Sequence, residues 1–181
     1  MIANTDMFNT YSGNYEDSPE ALMLKEAFLT SAEEIVVSYL GFRPTLQAHT
    51  DVLLSGSGNH RLYLPAHNIT TLEGITIGCA ALEPDLFVLC DDHIRFRDNR
   101  STFPTGKDNI LTSYTAGWAR EQMPSVITLS ILRIATLMLS ETGGNIGLTG
   151  KSFADNSRTF INYSNYRKYL QPLDGLRIMR F

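Results

Sequence analysis

Cysteine is scarce in this sequence, and so is charge. The two cysteines, Cys79 and Cys90, make neither a zinc pattern nor a disulfide framework, and such usage suits a reducing cytosol. Charged residues make up 19% of the chain against 43% hydrophobic residues. That is a globular composition short of surface charge, and such a chain often gives surface to other chains. Basic excess is absent as well. A net charge of −4 argues against a DNA-coating role, because non-specific DNA binding runs on Lys and Arg neutralising phosphates. Long hydrophobic runs are missing too. The longest nearly apolar stretch, Ile131 to Leu139, contains Arg133 and is far too short to span a bilayer, so no membrane partner is expected. The opening "MIANTDMFNTYSGNYEDSPE" has no apolar centre, so no signal peptide is expected.

What is present reads as helix, strands, helix. Residues 1–17 are polar and read as a flexible N-terminal arm. In "SPEALMLKEAFLTSAEEIVVSYLGF", Ser18 is placed to cap, Pro19 suits the first helical position and Glu20 suits its positive end. Leu24, Phe28, Ala32, Ile35 and Tyr39 fall at steps of three and four and predict one apolar stripe. Gly41 is the expected stop, and Pro44 discourages the helix from resuming. Six short strands are predicted next: "TDVLLS", "HRLYL", "LEGITIG", "DLFVL", "HIRFR" and "NILTSYT". "SGSGN" separates the first two, "ALEPD" closes a hairpin, Asp91-Asp92 another, and "DNRSTFPTGKDN" is a longer polar loop. A second helix is predicted from about Pro124 to Glu141, with Gly143-Gly144 as its stop. "GGNIGLTGKSFADNSRT" reads as a flexible loop, and residues 160–171 as a short helix ended by Pro172. The expectation is an α+β fold, mainly helical: a small helical bundle with an inserted antiparallel β-hairpin region and a flexible C-terminal segment. Its divisions are an arm at 1–17, a core at 18–142, and a loop, short helix and tail at 143–181.

Motifs for chemistry are few. Asp91-Asp92-His93 lies on a strand end, where neighbouring side chains point to opposite faces, so a hairpin turn is preferred to a metal site. His49, His60, His67 and His93 sit near turns or strand ends, in no nucleophile or metalloprotease motif. "GNIGLTGKS" imitates a phosphate loop, but the position five before Gly150 is Asn145, and a helix precedes the segment in place of a strand. A hairpin turning at residues 82–83 sets Cys79 opposite Leu86 and Cys90 opposite Ile75, too far apart for a disulfide. No catalytic residue, metal or cofactor is expected.

The second helix is apolar almost all the way round, so it must be covered all round. One other long helix and a small β region cover it only in part, and neighbouring copies are expected to cover the rest. Ile127, Ile131, Arg133, Ile134 and Met138 are the candidate subunit contacts. Arg133 either reaches solvent by its long stem or makes a charged contact between subunits. Phe160, Tyr163, Tyr166, Arg167, Tyr169 and Leu170 are a second candidate surface, because aromatics and arginine carry most interface energy. The competing reading is an amphipathic helix folded onto its own domain.

The order of these pieces resembles the head–tail connector (adaptor, or head-completion) proteins of tailed double-stranded-DNA bacteriophages. "SYTAGW" followed by a proline-initiated apolar helix, Ser113 to Leu139, carries most of the likeness. "LYLPAHNITTLEGITI", Leu62 to Ile77, is the second piece, and with the first helix the likeness spans roughly residues 20 to 140. The resemblance implies a structural virion protein, not an enzyme. It implies a ring, commonly twelvefold, beneath the portal protein in the virion neck. Such a ring extends the DNA channel, lets genomic DNA pass without specific binding, and offers a docking surface to the next neck or tail-completion protein. It also implies a portal-binding role for the segment from Phe160 to Leu173, and assembly in the host cytoplasm. The net acidity adds the expectation of a channel to which DNA does not stick.

Two alternatives stand beside it. One is another neck or tail-completion ring protein. The other is a small enzyme or ligand-binding domain with a site assembled from scattered residues, which would show a deep pocket with convergent polar groups. A DNA-binding regulator is disfavoured by the charge and by the lack of a helix-turn-helix pattern.

Overall fold

Ser18 caps the first long helix as its position predicts: its Oγ accepts the Ala21 amide at 3.3 Å and its carbonyl accepts the Leu22 amide at 2.9 Å. In the computed structural model, which describes residues 1–141, 150–153, 156–159 and 166–178, this helix runs Pro19–Leu40. Gly41 ends it with φ +82°, a left-handed conformation that suits glycine. A shorter helix precedes it. The polar opening, read as an arm, folds over Thr5–Ser12 (α1), with Asn4 as cap and Gly13 in the left-handed conformation as stop. Ile2, Ala3 and Phe8 are buried, so this stretch contributes to a core. The long helix is α2.

The stripe that α2 buries is Lys25, Leu29, Ala32, Val36 and Leu40. The predicted stripe shares only Ala32 with it, and Leu24 is exposed. The apolar residues of α2 spread around the helix, so spacing alone permits two neighbouring stripes. The one that wins contains a lysine. The third helix, α3 (Ser125–Glu141), buries Ile127, Ser130, Ile131, Leu132, Ile134 and Ala135. It packs against α1, α2, the short α4 (Tyr166–Leu170) and the 3-10 turn Gln171–Leu176 that follows. These elements make one compact unit, Met1–Leu40 with Pro124–Arg177. Burying each isoleucine of α3 contributes about 1.5–3 kcal/mol, and the packing, more than helix propensity, holds the unit together. Among the described residues no helix is long and apolar enough to cross a membrane.

Gly41–Met123 belongs to a second unit, and it is built of strands. They are β1 (Gln47–Gly56), β2 (Arg61–Tyr63), β3 (Ile69–Ile77), β4 (Ala80–Leu82), β5 (Phe87–Leu89), β6 (His93–Phe96) and β7 (Gly106–Ala116). Two antiparallel sheets form, one in the order β1-β7-β3-β4 and one in the order β2-β6-β5. Their inward residues share one core. Leu62, Phe87 and Ile94 come from the smaller sheet, Leu72, Ile75, Ile110 and Tyr114 from the larger, and Phe103 from the loop before β7. The unit is a small β-sandwich.

This corrects the expectation of a mainly helical fold with a minor β excursion. Strands of ten and eleven residues, β1 and β7, anchor a four-stranded sheet, and a second sheet covers it. The chain is α+β with helices and sheets of comparable weight. Two hairpin details also differ. β3 turns into β4 at Gly78 and Cys79, so Thr76 pairs with Ala81, and "ALEPD" leads into a 3-10 turn at Pro84–Leu86. Cys79 is exposed at its turn and Cys90 lies at the β5–β6 turn, both as free thiols. Within the Gly-rich stretch read as a flexible loop, β8 (Gly150–Phe153) and β9 (Asn156–Thr159) pair antiparallel; the residues around them lie outside the described ones.

Candidate assembly surfaces

Five residues of α3 were expected to meet neighbouring copies. Ile127, Ile131 and Ile134 are fully buried within the chain itself. Arg133 and Met138 are half-buried. Arg133 stands over the Tyr169 ring of the same chain, its Cζ 5.9 Å from the centroid. Leu129, on the same helix, is exposed.

Of the expected C-terminal contacts, Phe160 and Tyr163 lie outside the described residues. Tyr166 is half-buried, Arg167 exposed, Tyr169 half-buried and Leu170 buried. The described part of this segment, residues 166–177, is held onto the helical unit at several points. Ser130 Oγ donates to the Tyr169 carbonyl at 2.8 Å, Leu173 is fully buried, and the Tyr39 hydroxyl donates to Asp174 Oδ1. Arg177 lies over the Tyr39 ring at 5.0 Å. The hydrogen bond to the Asp174 carboxylate, with burial adding to it, raises the Tyr39 pKa above the ordinary phenol value.

The polar residues of the turns form separate pairs. Asp91 accepts from the Asn68 amide at 3.0 Å and lies 2.7 Å from His67 Nδ1. Asp92 lies 2.7 Å from His93 Nδ1. The two carboxylates therefore serve different imidazoles. Among the described residues no group of three or more His, Cys, Asp or Glu is placed to hold a metal ion. Trp118 and Gly117 of the "SYTAGW" turn tie the unit together through backbone. Gly117 N donates to the His67 carbonyl at 3.0 Å, Trp118 N to the Pro44 carbonyl at 2.8 Å, and Leu46 N to the Trp118 carbonyl at 3.0 Å.

A surface that the sequence did not single out lies on the outer face of the four-stranded sheet. Strand β7 runs through its middle, and a β-bulge flanks it on each side. On β1 the register shifts between His49 and Val52, and Asp51 takes φ +53° there. On β3 it shifts between Leu72 and Gly74, leaving Glu73 as the extra residue. Both bulges converge on Ser113: Asp51 N donates to its Oγ at 3.0 Å, and Gly74 is its partner in the ladder. Bulges re-aim side chains, and here they give the sheet two exposed carboxylates. With Glu83 these border a shallow trough of about 350 Å³ whose lining contains no lysine, arginine or histidine. Burial pushes the Glu73 carboxyl up, and the Thr71 and Thr115 hydroxyls, donating at 2.6 and 2.7 Å, more than offset it, so its pKa is lowered and it stays charged at neutral pH. Bulges break strict alternation, so spacing gave no signal for this face. Its one visible trace is the acidic residue next to glycine in "LEGITI".

The trough is open and shallow. Its geometry suits a protein surface better than an enclosed small molecule, which a deep apolar cavity would favour.

No family model matches the sequence, and no curated protein matches it. Solved structures match it by fold. A chain in the neck of a native GTA particle, computed with C12 symmetry, superposes at TM-score 0.55 with 10% identity, over 87% of this chain and 83% of that one. A chain in the neck of an empty GTA particle, computed with C6 symmetry, does so at 0.54 with 10% identity, over 97% and 89%. A chain in the virion of a native gene transfer agent (GTA) particle gives 0.51 with 10% identity, over 99% and 94%. At that identity the likeness is one of fold.

Proposed function

We propose that this chain is a structural protein of the neck of a tailed, phage-type particle, occupying one position in a ring of identical copies. The observation that carries the reading is the agreement of fold, over most of both chains, with chains built into particle necks. The "SYTAGW" turn supports it from the sequence side. It joins the central strand β7 to the proline-initiated α3, the order on which the resemblance to connector proteins rests. The C12 and C6 symmetries of the related necks support a ring.

In this reading the ring sits beneath the portal protein, extends the DNA channel and presents its far side to the next neck or tail-completion protein. The protein works by position, without catalysis or cofactor. Genomic DNA passes without specific binding, which a net charge of −4 favours. The segment from Phe160 to Leu173 is the portal-facing element, with Leu170 and Leu173 anchoring it and Arg167 free to reach outward. On α3, Leu129, Arg133 and Met138 remain accessible to a neighbour, while Ile127, Ile131 and Ile134 hold the helix in its own unit.

Light scattering coupled to size exclusion tests this, on the protein alone and then mixed with purified portal from the same genome. A ring-sized complex that forms with portal supports the connector position. A ring that ignores portal moves the protein to a tail-side position in the neck. A chain that stays monomeric under both conditions overturns the reading.

A further inference from the structure

The two outer faces of the β-sandwich carry opposite charge. On the four-stranded sheet, Asp51, Glu73 and Glu83 border the trough. The three-stranded sheet points Leu62, Phe87 and Ile94 into the core, so alternation turns Arg61, Tyr63, His93 and Arg95 outward. Arg61 and Arg95 are directly opposite each other in the β2–β6 ladder. Like charges in that position repel, and the partner Arg95 does find, the Asn99 side-chain oxygen, carries no charge to offset them. The nearby carboxylates make no ion-pair contact with either arginine. Asp91 is engaged with His67 and Asn68, Asp92 with His93, and Asp98 with the Ser101 side chain and backbone of its own turn. Among the described residues the ion-pair contacts are Lys25–Asp17, His67–Asp91 and His93–Asp92, so none of these residues brings an opposite charge into ion-pair distance of either arginine or of the three trough carboxylates.

Two sheets packed on one core present their outer faces in opposite directions. A basic face and an acidic trough on opposite sides of one unit are complementary only between copies. We propose that the β unit docks head to tail, the Arg61–Arg95 face of one copy seating in the Asp51–Glu73–Glu83 trough of the next. Such an interface is heterologous, and repeating it closes a ring when the rotation per step permits. The charges fix register and exclude the face-to-face pairings that would stop growth. Exposed Tyr63 and Leu53, at 59% exposure each, lie on the two faces and supply apolar contact. This inference rests on the ring reading and adds to it the surface that makes the ring.

Charge exchange tests it. One variant carries Arg61→Glu with Arg95→Glu, the other Glu73→Lys with Glu83→Lys, and a thermal melt first checks that each folds. Under the conditions in which the parent assembles, each variant alone is expected to lose ring formation by light scattering, and parent assembly to weaken with added salt. Mixed in equal amounts the two variants are expected to regain it, because every junction in an alternating ring is again complementary. Variants that fold and still assemble singly, or a mixture that does not recover, overturn the docking while leaving the ring reading intact. Loss of DNA retention in the arginine variant with assembly unchanged overturns it in favour of a nucleic-acid face. A parent that forms no ring with or without portal overturns both.

Discussion

Lys25 Nζ lies 2.7 Å from Asn9 Oδ1, inside the helical unit, with the lysine side chain only 2% exposed. It also donates to the Asn14 carbonyl at 3.0 Å and the Glu16 carbonyl at 2.6 Å. Three donors meet three acceptors, and Asp17 Oδ1 at 3.9 Å supplies the opposite charge. A buried ammonium is tolerated only when so satisfied. The lysine thereby fastens residues 9–17 to α2. Lys25→Met keeps the apolar stem and removes the donors, leaving Asn9 Oδ1 buried without them. The expected loss of stability is about 2–4 kcal/mol, read from urea unfolding, with new protease cleavage before residue 18. Unchanged stability and an intact N-terminal segment would show that the network is dispensable.

Gly117 has φ +103°, and a Cβ placed there would lie 2.5 Å from the Thr45 carbonyl oxygen. Both facts bear on one substitution. Gly117→Ala forces a left-handed conformation on a residue with a side chain, costing about 1–3 kcal/mol, and the clash with backbone adds to it. The urea midpoint should fall clearly. The same substitution at Gly74, where a Cβ meets nothing within 4 Å, is the control and should change stability far less.

Much of this fold was legible because local signals agree with it. The Ser18 cap, the Gly41 stop, both long helices and all six predicted strands carry clear punctuation and are present. Each departure has its own physical cause. On α2 the apolar spacing permits two stripes about one position apart, and the buried one includes Lys25, four before Leu29 and seven before Ala32, which an apolar pattern does not mark. α1 was missed because its eight residues are mostly polar and bury Phe8 as their main apolar anchor. The weight of the sheets was underestimated because the bulges at Asp51 and Glu73 interrupt alternation and make long strands read as short ones. The acidic trough was invisible for the same reason. Sequence places each carboxylate on its strand, but only pairing through β7 sets them on one face.

The Tyr114 hydroxyl is buried and has no hydrogen-bond partner among the described residues, while His49 stacks on the ring at 4.7 Å. Burial pushes its pKa up to about 12. Since the folded value lies above the ordinary value of 10.0, the folded state holds this proton longer than the unfolded state does. The contribution to stability is complete below that ordinary value and is lost as pH rises toward about 12. Tyr114→Phe removes an unsatisfied polar group. Stability at neutral pH should be unchanged or higher by up to about 1 kcal/mol, and the alkaline decline should flatten. A marked loss at neutral pH would mean that the hydroxyl has a partner, and an unaltered alkaline decline would assign that decline to another group.

Tyr39 and Asp174 close the C-terminal segment onto α2, and the raised phenol pKa keeps the Tyr39 proton available for that bond throughout the neutral range. Tyr39→Phe deletes the donor and keeps the ring on which Arg177 rests. The global unfolding midpoint should move little, because the bond is exposed and Leu173 still anchors the turn. Amide exchange over residues 171–177 should speed up several-fold. On the portal-facing role proposed for this segment, binding to portal should then weaken, mainly through faster dissociation, because a segment already held in place has less freedom to lose on docking than one that has been released. Tighter binding by the variant would reverse that conclusion. It would mean that the segment must leave α2 to reach the portal, and that the Tyr39–Asp174 bond restrains it until it does.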